Sequence, residues 1–242
     1  LQDSAHIQES DAEWKNRKAE RSGAPRVEPL YTIEDAQRVS QYMTTCEYNQ
    51  PLDLCEGVRV EFVDAGHLLG SASIRLTLTE GGETRTIVFS GDIGNRFKPI
   101  LKDPQTVDSA DYLVIESTYG NRLHEISGPV DTVNELAAVL QRTLDRKGNV
   151  VIPSFAVGRT QELLYFIREI KEEGLVKSNP NFEVVVDSPL AGEATRIFSG
   201  DLHGYLDEEA IAALKGGALF QFPGLTITES SDESRALNMD PT

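Results

Sequence analysis

Residues that usually announce a metal or redox centre are scarce: the 242-residue chain has four histidines and two cysteines, with one tryptophan and two methionines. Cys46 and Cys55 stand nine positions apart, a separation that matches no zinc-ligand pattern. They read as reduced thiols of a cytoplasmic protein rather than a disulfide. No run approaches the roughly 20 apolar residues of a membrane span. No basic-then-apolar stretch opens the chain, so neither a signal peptide nor a membrane partner is expected. Gly-Lys-Ser/Thr and Gly-x-Ser-x-Gly are both missing, which excludes a Walker phosphate loop and a serine-hydrolase elbow. Positive charge is short as well. Against 39 acidic residues stand 23 Lys and Arg, for a net charge of −16. A field of that sign repels phosphate and argues against nonspecific polyanion binding. It does not exclude a nucleic-acid enzyme, because divalent cations and a few local arginines can reverse the field within one cleft.

What remains is ordinary for a soluble globular protein: 39% hydrophobic and 26% charged residues, enough for one large domain or two ordinary ones. Asp3-Ser4 can cap a polar helix running to about Arg21 and ended by Gly23 and Pro25, with His6 packed on it or capping it. Thr32-Ile33-Glu34-Asp35 resembles a capping box and opens a second helix through Ala36, Val39 and Met43. Residues 44–57 read as a connection. Strands are expected at 58–63, 72–78, 86–90 and 112–116, with hairpin chemistry at Glu80-Gly81-Gly82-Glu83.

From about Asn121 the rhythm changes to strand and helix alternation, which implies parallel βαβ units. A helical stripe through Val133, Leu136, Leu140 and Leu144 is followed by a short buried strand over 149–153. A helix follows from Gln161 to Glu173, then a strand from Glu183 to Asp187, then a helix capped by Asp207 and stopping at Gly216-Gly217. The last fourteen residues show no clear structure. A domain boundary is expected near 121–130, giving an α/β (α+β) chain of two parts, 1–122 and 123–242.

Three apolar runs each deliver one polar group into a small-residue turn: His67 between Gly66 and Gly70, Asp92 in Ser90-Gly91-Asp92-Ile93-Gly94, and Glu116 ahead of Ser117-Thr118-Tyr119-Gly120. Turns positioned by a rigid sheet are where sites are commonly built. His67 suits a metal ligand or a satisfied structural histidine. Asp92 suits a carboxylate bridging two cations or an Asx-turn. Glu116, following four apolar residues, should be partly buried and needs a partner: a cation, a metal-bound histidine, or the hydroxyls and amides that follow it. Pro153 to Thr160 forms a strand–turn–helix passage. Its amides, the Ser154 hydroxyl and the Arg159 fork suit a phosphate, although a capped helix start with a solvated arginine would look the same. His124 and His203 read as surface residues.

Seven segments in order carry a resemblance: Asp3–Glu9, Glu28–Thr32, Gly66-His67-x-x-Gly70-Ser71-Ala72, Ser90–Gly94, Glu116–Gly120, Pro153–Arg159 and Glu233–Asn238. Together they resemble the β-CASP group of metallo-β-lactamase-fold nucleases, closest to the prokaryotic RNA-processing, exonuclease-like relatives of the mRNA 3′-end cleavage endonuclease. The resemblance implies part of an αββα sandwich carrying two zinc ions, with part of an inserted βαβ-type β-CASP domain over the cleft. It makes His67 a zinc ligand, Asp92 the bridge between the zincs, and Glu116 the acidic residue that orients a catalytic histidine. Ser154, Phe155, Gly158 and Arg159 would meet the substrate, a single-stranded RNA, and a homo-oligomer is compatible with the family. The implied reaction is phosphodiester hydrolysis assisted by two cations.

The family's His-x-His-x-Asp-His segment and its two later histidines have no counterpart here. An internal fragment with an incomplete ligand set is therefore expected, binding zinc weakly or not at all and exposing apolar surface on its first half. Two other readings compete: a metallo-β-lactamase-fold hydrolase of a small thioester or lactam, which the acidic charge would suit, and a noncatalytic scaffold subunit of an RNA-processing complex. The inserted second half disfavours the first, and retention of His67, Asp92 and Glu116 disfavours the second.

Overall fold

Residues 1–122, 131–200, 202, 204–215 and 219–239 are described by a computed structural model. The chain divides into two compact units, Leu1–Glu47 and Tyr48–Thr242. The boundary expected at 121–130 falls largely on residues outside the described set, as do His124, His203 and Gly216-Gly217.

The first unit is helical. Helix α1 spans Gln2–Ser22 and ends where Gly23 turns left-handed at φ 70°. Asp3-Ser4 does not cap it: the helix has already begun at Gln2, so both residues lie inside its first turn. His6 lies in that helix and is exposed. Helix α2, Ile33–Val39, begins as expected. The Thr32 hydroxyl accepts from the Asp35 amide and the Asp35 carboxylate accepts from the Thr32 amide, satisfying two donors that a helix start leaves free.

The second unit opens with a five-stranded sheet in the order β1 (Leu52–Cys55), β2 (Val58–Asp64), β3 (Ala72–Glu80), β4 (Glu83–Phe89) and β5 (Tyr112–Val114). Strands β1 to β4 are antiparallel, and β5 joins parallel to β4. Strand β1 lies in the stretch expected to be a plain connection. Its four residues, Leu52 to Cys55, are too few to reveal a period. β3 and β4 are joined by the two-residue Gly81-Gly82 turn, with Glu80 opposite Glu83. The alternation that identified these strands sorts their faces. Val60, Phe62, Ile74, Leu76 and Ile87 share one face, whereas Glu61 pairs with Arg75 on the other at 3.7 Å. The run through β5 was expected to be a buried strand, yet Tyr112, Leu113, Val114 and Ile115 are all exposed. β5 is the sheet's edge strand, and neither apolar cluster among the described residues packs onto its faces.

Helices dominate thereafter: α3 (Thr132–Leu144), α4 (Arg159–Glu172), α5 (Pro189–Phe198), α6 (Glu208–Lys215) and α7 (Ser231–Met239), with β6 (Val184–Val186) and β7 (Leu225–Ile227) pairing in parallel. The α/β class is as expected. Helix α4 joins two apolar clusters. Leu164 and Tyr165 pack with Ile100, Phe198 and Leu206, while Ile167 and Ile170 pack with Leu140, Val176 and Phe182. Two expectations fail. Residues 149–153 form no strand, and Val151 is 87% exposed; β6 pairs with β7 alone, which leaves this apolar run without a ladder. The supposedly structureless C-terminus holds α7, started by the Ser230 hydroxyl accepting from the Glu233 amide, a Ser-x-x-Glu signal. Among the described residues no helix is long and apolar enough to cross a membrane.

Candidate active site

The turn after β2 is shaped by side chains rather than by a ladder. The Ser71 hydroxyl accepts from the amides of both His67 and Leu68, at 3.0 and 3.1 Å. The Asp64 carboxylate accepts from the Gly66 amide at 2.8 Å. Burial pushes the Asp64 carboxyl above the ordinary carboxylate range, against the opposing pull of that amide and of Lys102. With two of its backbone amides held by Ser71, the turn itself fixes the half-buried His67.

The turn after β4 is laid directly on it. The Gly94 amide donates to Ala65 O at 2.8 Å. A Cβ on Gly94 would fall 1.9 Å from Gly66 O and 2.7 Å from His67 N, so only glycine permits this approach. Because the Gly94 amide is used in this way, Asp92 does not close the Asx-turn that was its structural alternative. Its carboxylate is exposed, and Asp92 Oδ2 lies 4.0 Å from His67 Nε2.

Glu116 completes the group from the end of β5. Its Oε1 accepts from the Ile93 amide at 2.6 Å, and its own amide donates to the Ser90 hydroxyl at 3.0 Å. The Ser90 amide donates in turn to Val114 O, and Ser73 Oγ donates to Ser90 O. Glu116 is half-buried as expected, but its partner is the backbone next to Asp92 rather than the hydroxyls that follow it. Three turns far apart in sequence thus meet, and each is held by the next.

The Ser154–Arg159 passage approaches the His67 turn at Gly158. Gly158, at φ 85°, is buried, and a Cβ there would come 2.6 Å from Leu68 Cδ2 beside His67. Phe155 and Arg159 are exposed. Ser154 Oγ lies 2.8 Å from Thr160 Oγ1. One part of the expected phosphate cradle is closed: the Gly158 amide donates to Gln161 Oε1 at 2.7 Å, so Gly158 contributes shape rather than a free donor.

Two residues at this site were not singled out from the sequence. Gln161, fully buried, accepts from the Gly158 amide, while its Nε2 donates to Ala156 O, Ala191 O and Thr195 Oγ1. Glu162 pairs with Arg159 Nη1 at 2.6 Å and with Lys98 Nζ at 3.5 Å. Both could have been found. Gln161 occupies the capping-box position three after Gly158, and Glu162 is at i+3 from Arg159.

His67 and Asp92 are adjacent enough to share a cation after a small closure, since two ligands of one tetrahedral zinc lie about 3.3 Å apart. They do not complete a site. Among the described residues no three His, Cys, Asp or Glu side chains gather into a metal-holding group, whereas each zinc needs about three or four protein ligands. The residues present therefore fit an edge of a metal centre and not the two zincs themselves.

Residues 160–242 match the family model described as the Beta-Casp domain. The chain is 35% identical over 214 residues to Ribonuclease TTHA0252 of Thermus thermophilus, a match covering 88% of this chain and 47% of the relative. The chain belongs to the β-CASP group of metallo-β-lactamase-fold nucleases. An RNase J-like protein of Methanocaldococcus jannaschii is 32% identical over 151 residues, 62% of this chain and 35% of that protein. Transcription termination factor FttA of Thermococcus kodakarensis is 33% identical over 152 residues, 61% of this chain and 23% of that protein. This β-CASP chain thus spans less than half the length of these curated relatives. The Beta-Casp match begins at Thr160, one residue after Arg159, and takes in the rest of α4 with β6, α5, α6, β7 and α7.

Proposed function

We propose that the chain is part of a zinc-dependent ribonuclease that hydrolyses phosphodiester bonds of single-stranded RNA in the cytoplasm. The observation that carries the reading is the convergence of His67, Asp92 and Glu116 with the Ser154–Arg159 passage, in a chain whose relatives are named for ribonuclease action. In this reading His67 and Asp92 are the ligands that this chain would contribute to two zinc ions, which would supply polarisation of the phosphodiester and activation of a water. Glu116 holds the Asp92 turn through the Ile93 amide. Arg159 provides a planar fork for a phosphate oxygen pair, and the exposed Phe155 ring offers a face on which a base can stack. Residues 123–242 act as the β-CASP part of the whole.

The competing small-substrate reading gives the Ser154–Arg159 passage nothing to do. The protein expressed from its complete reading frame is expected to cleave end-labelled single-stranded RNA, to lose that activity on chelation and to leave thioesters and lactams intact. Turnover of a thioester or lactam with RNA untouched would overturn the proposal.

A further inference from the structure

Glu162 sits one helical turn into α4 with its side chain only 12% exposed, and each of its oxygens faces a different cation. Oε1 lies 3.5 Å from Lys98 Nζ, and Oε2 lies 2.6 Å from Arg159 Nη1. Lys98 belongs to the stretch that follows Asp92. That stretch is anchored at its far end: Ile100 is buried in the α4 cluster, Ile100 O accepts from the Asp207 amide, and Leu101 bridges Leu206. One carboxylate therefore ties the Asp92-bearing segment to the Ser154–Arg159 passage.

Within this trio two cations face one carboxylate, in a chain whose net charge is −16. Arg159 remains 58% exposed and Lys98 is 20% exposed. The guanidinium has five N–H donors and Glu162 takes one, so the rest of the fork is held in place and open. A flexible surface arginine would have to give up rotamer freedom on meeting a phosphate; this one has already done so.

We propose that Glu162 is a positioning residue for RNA: it fixes Arg159 and Lys98 as a cation pair that receives one backbone phosphate beside the His67–Asp92 edge. The proposal rests on the RNA reading above. It also runs against simple charge counting. Replacing Glu162 by glutamine keeps the shape and removes one negative charge next to the cleft, so electrostatics alone would tighten RNA binding and steepen its salt dependence. Positioning requires the opposite.

The test is equilibrium binding of a fluorescent single-stranded RNA to the protein from its complete reading frame, over a series of salt concentrations, for wild type, Glu162→Gln, Arg159→Lys and the double variant. Glu162→Gln is expected to weaken binding about tenfold, as loss of an oriented charge-assisted contact would. Its log–log salt slope should become shallower by about 0.7, the share of one single-strand phosphate. Arg159→Lys keeps the charge but loses the fork; it should weaken binding to a similar degree, and the double variant should be no worse than either single one. If Glu162→Gln does not fold, Arg159→Lys decides, because Arg159 is exposed: unchanged affinity there overturns the proposal. A wild type that binds RNA, with Glu162→Gln binding as tightly or more so, overturns the positioning role alone. A wild type that binds no RNA removes the RNA reading and this inference together.

Discussion

Replacing Gln161 by methionine isolates what holds the Ser154–Arg159 passage in shape. The two side chains are close in length and volume, so no cavity opens, and the change is confined to hydrogen bonds. The Gly158 amide, buried and donating only to Gln161 Oε1, loses its acceptor; an unsatisfied buried donor costs about 1–3 kcal/mol. Ala156 O and Thr195 Oγ1 each lose a donated bond, at about 1 kcal/mol apiece. Ala191 O is spared, because the Thr195 hydroxyl still donates to it at 2.7 Å. The total is about 3–5 kcal/mol, which for a chain of this length is about 10 °C in melting temperature. Denaturant titration gives the first number, and hydrogen exchange gives a local signature: the Gly158 amide should exchange far faster than amides in the middle of α4. A change below about 0.5 kcal/mol, within the range of a neutral surface substitution, would mean that Gln161 does not hold this passage in shape.

Two further substitutions probe the His67 turn. Gly94→Ala places a methyl where Gly66 O already stands, so it should cost at least about 3 kcal/mol and impair RNA cleavage by displacing the His67 turn; a variant with wild-type melting and cleavage would contradict the close approach. Asp64→Asn reports on the raised Asp64 carboxyl. The folded state holds that proton to higher pH than the unfolded chain does, so wild-type stability falls as pH rises from the ordinary aspartate range to the raised folded value. The asparagine variant should match wild type below that window and gain on it progressively through the window. Denaturation curves that stay parallel from acid to neutral pH would contradict the assignment.

Elements with strong local signatures are legible in the sequence. The Thr32 capping box, the alternation through β2 to β4 and the apolar stripe of α4 need only neighbours within a few residues. Elements that depend on a distant partner are not. The run through Val151 has the composition of a buried strand and lacks the neighbour that would make it one, while β5 is a strand whose position at the sheet edge no local pattern reveals. The same division holds at the site. His67, Asp92 and Glu116 can each be suspected from apolar runs ending in small-residue turns. Their meeting cannot be deduced, because it depends on Gly94 fitting against Gly66 and on the Ile93 amide reaching Glu116. Gln161 and Glu162 carry local signals, the capping-box position after Gly158 and the i+3 pair with Arg159, but their partners on α5 and in the segment after Asp92 leave no trace in the helix's own pattern.

In the proposed ribonuclease, the turns bearing His67 and Asp92 form one edge of a metal-dependent phosphodiesterase centre. The most direct measurement is cleavage of labelled single-stranded RNA by the protein from its complete reading frame, with His67→Ala and Asp92→Ala assayed beside wild type at matched folded fraction. Loss of cleavage in both variants, with RNA binding retained, is the expected result. Undiminished cleavage in both would show that neither side chain serves the reaction.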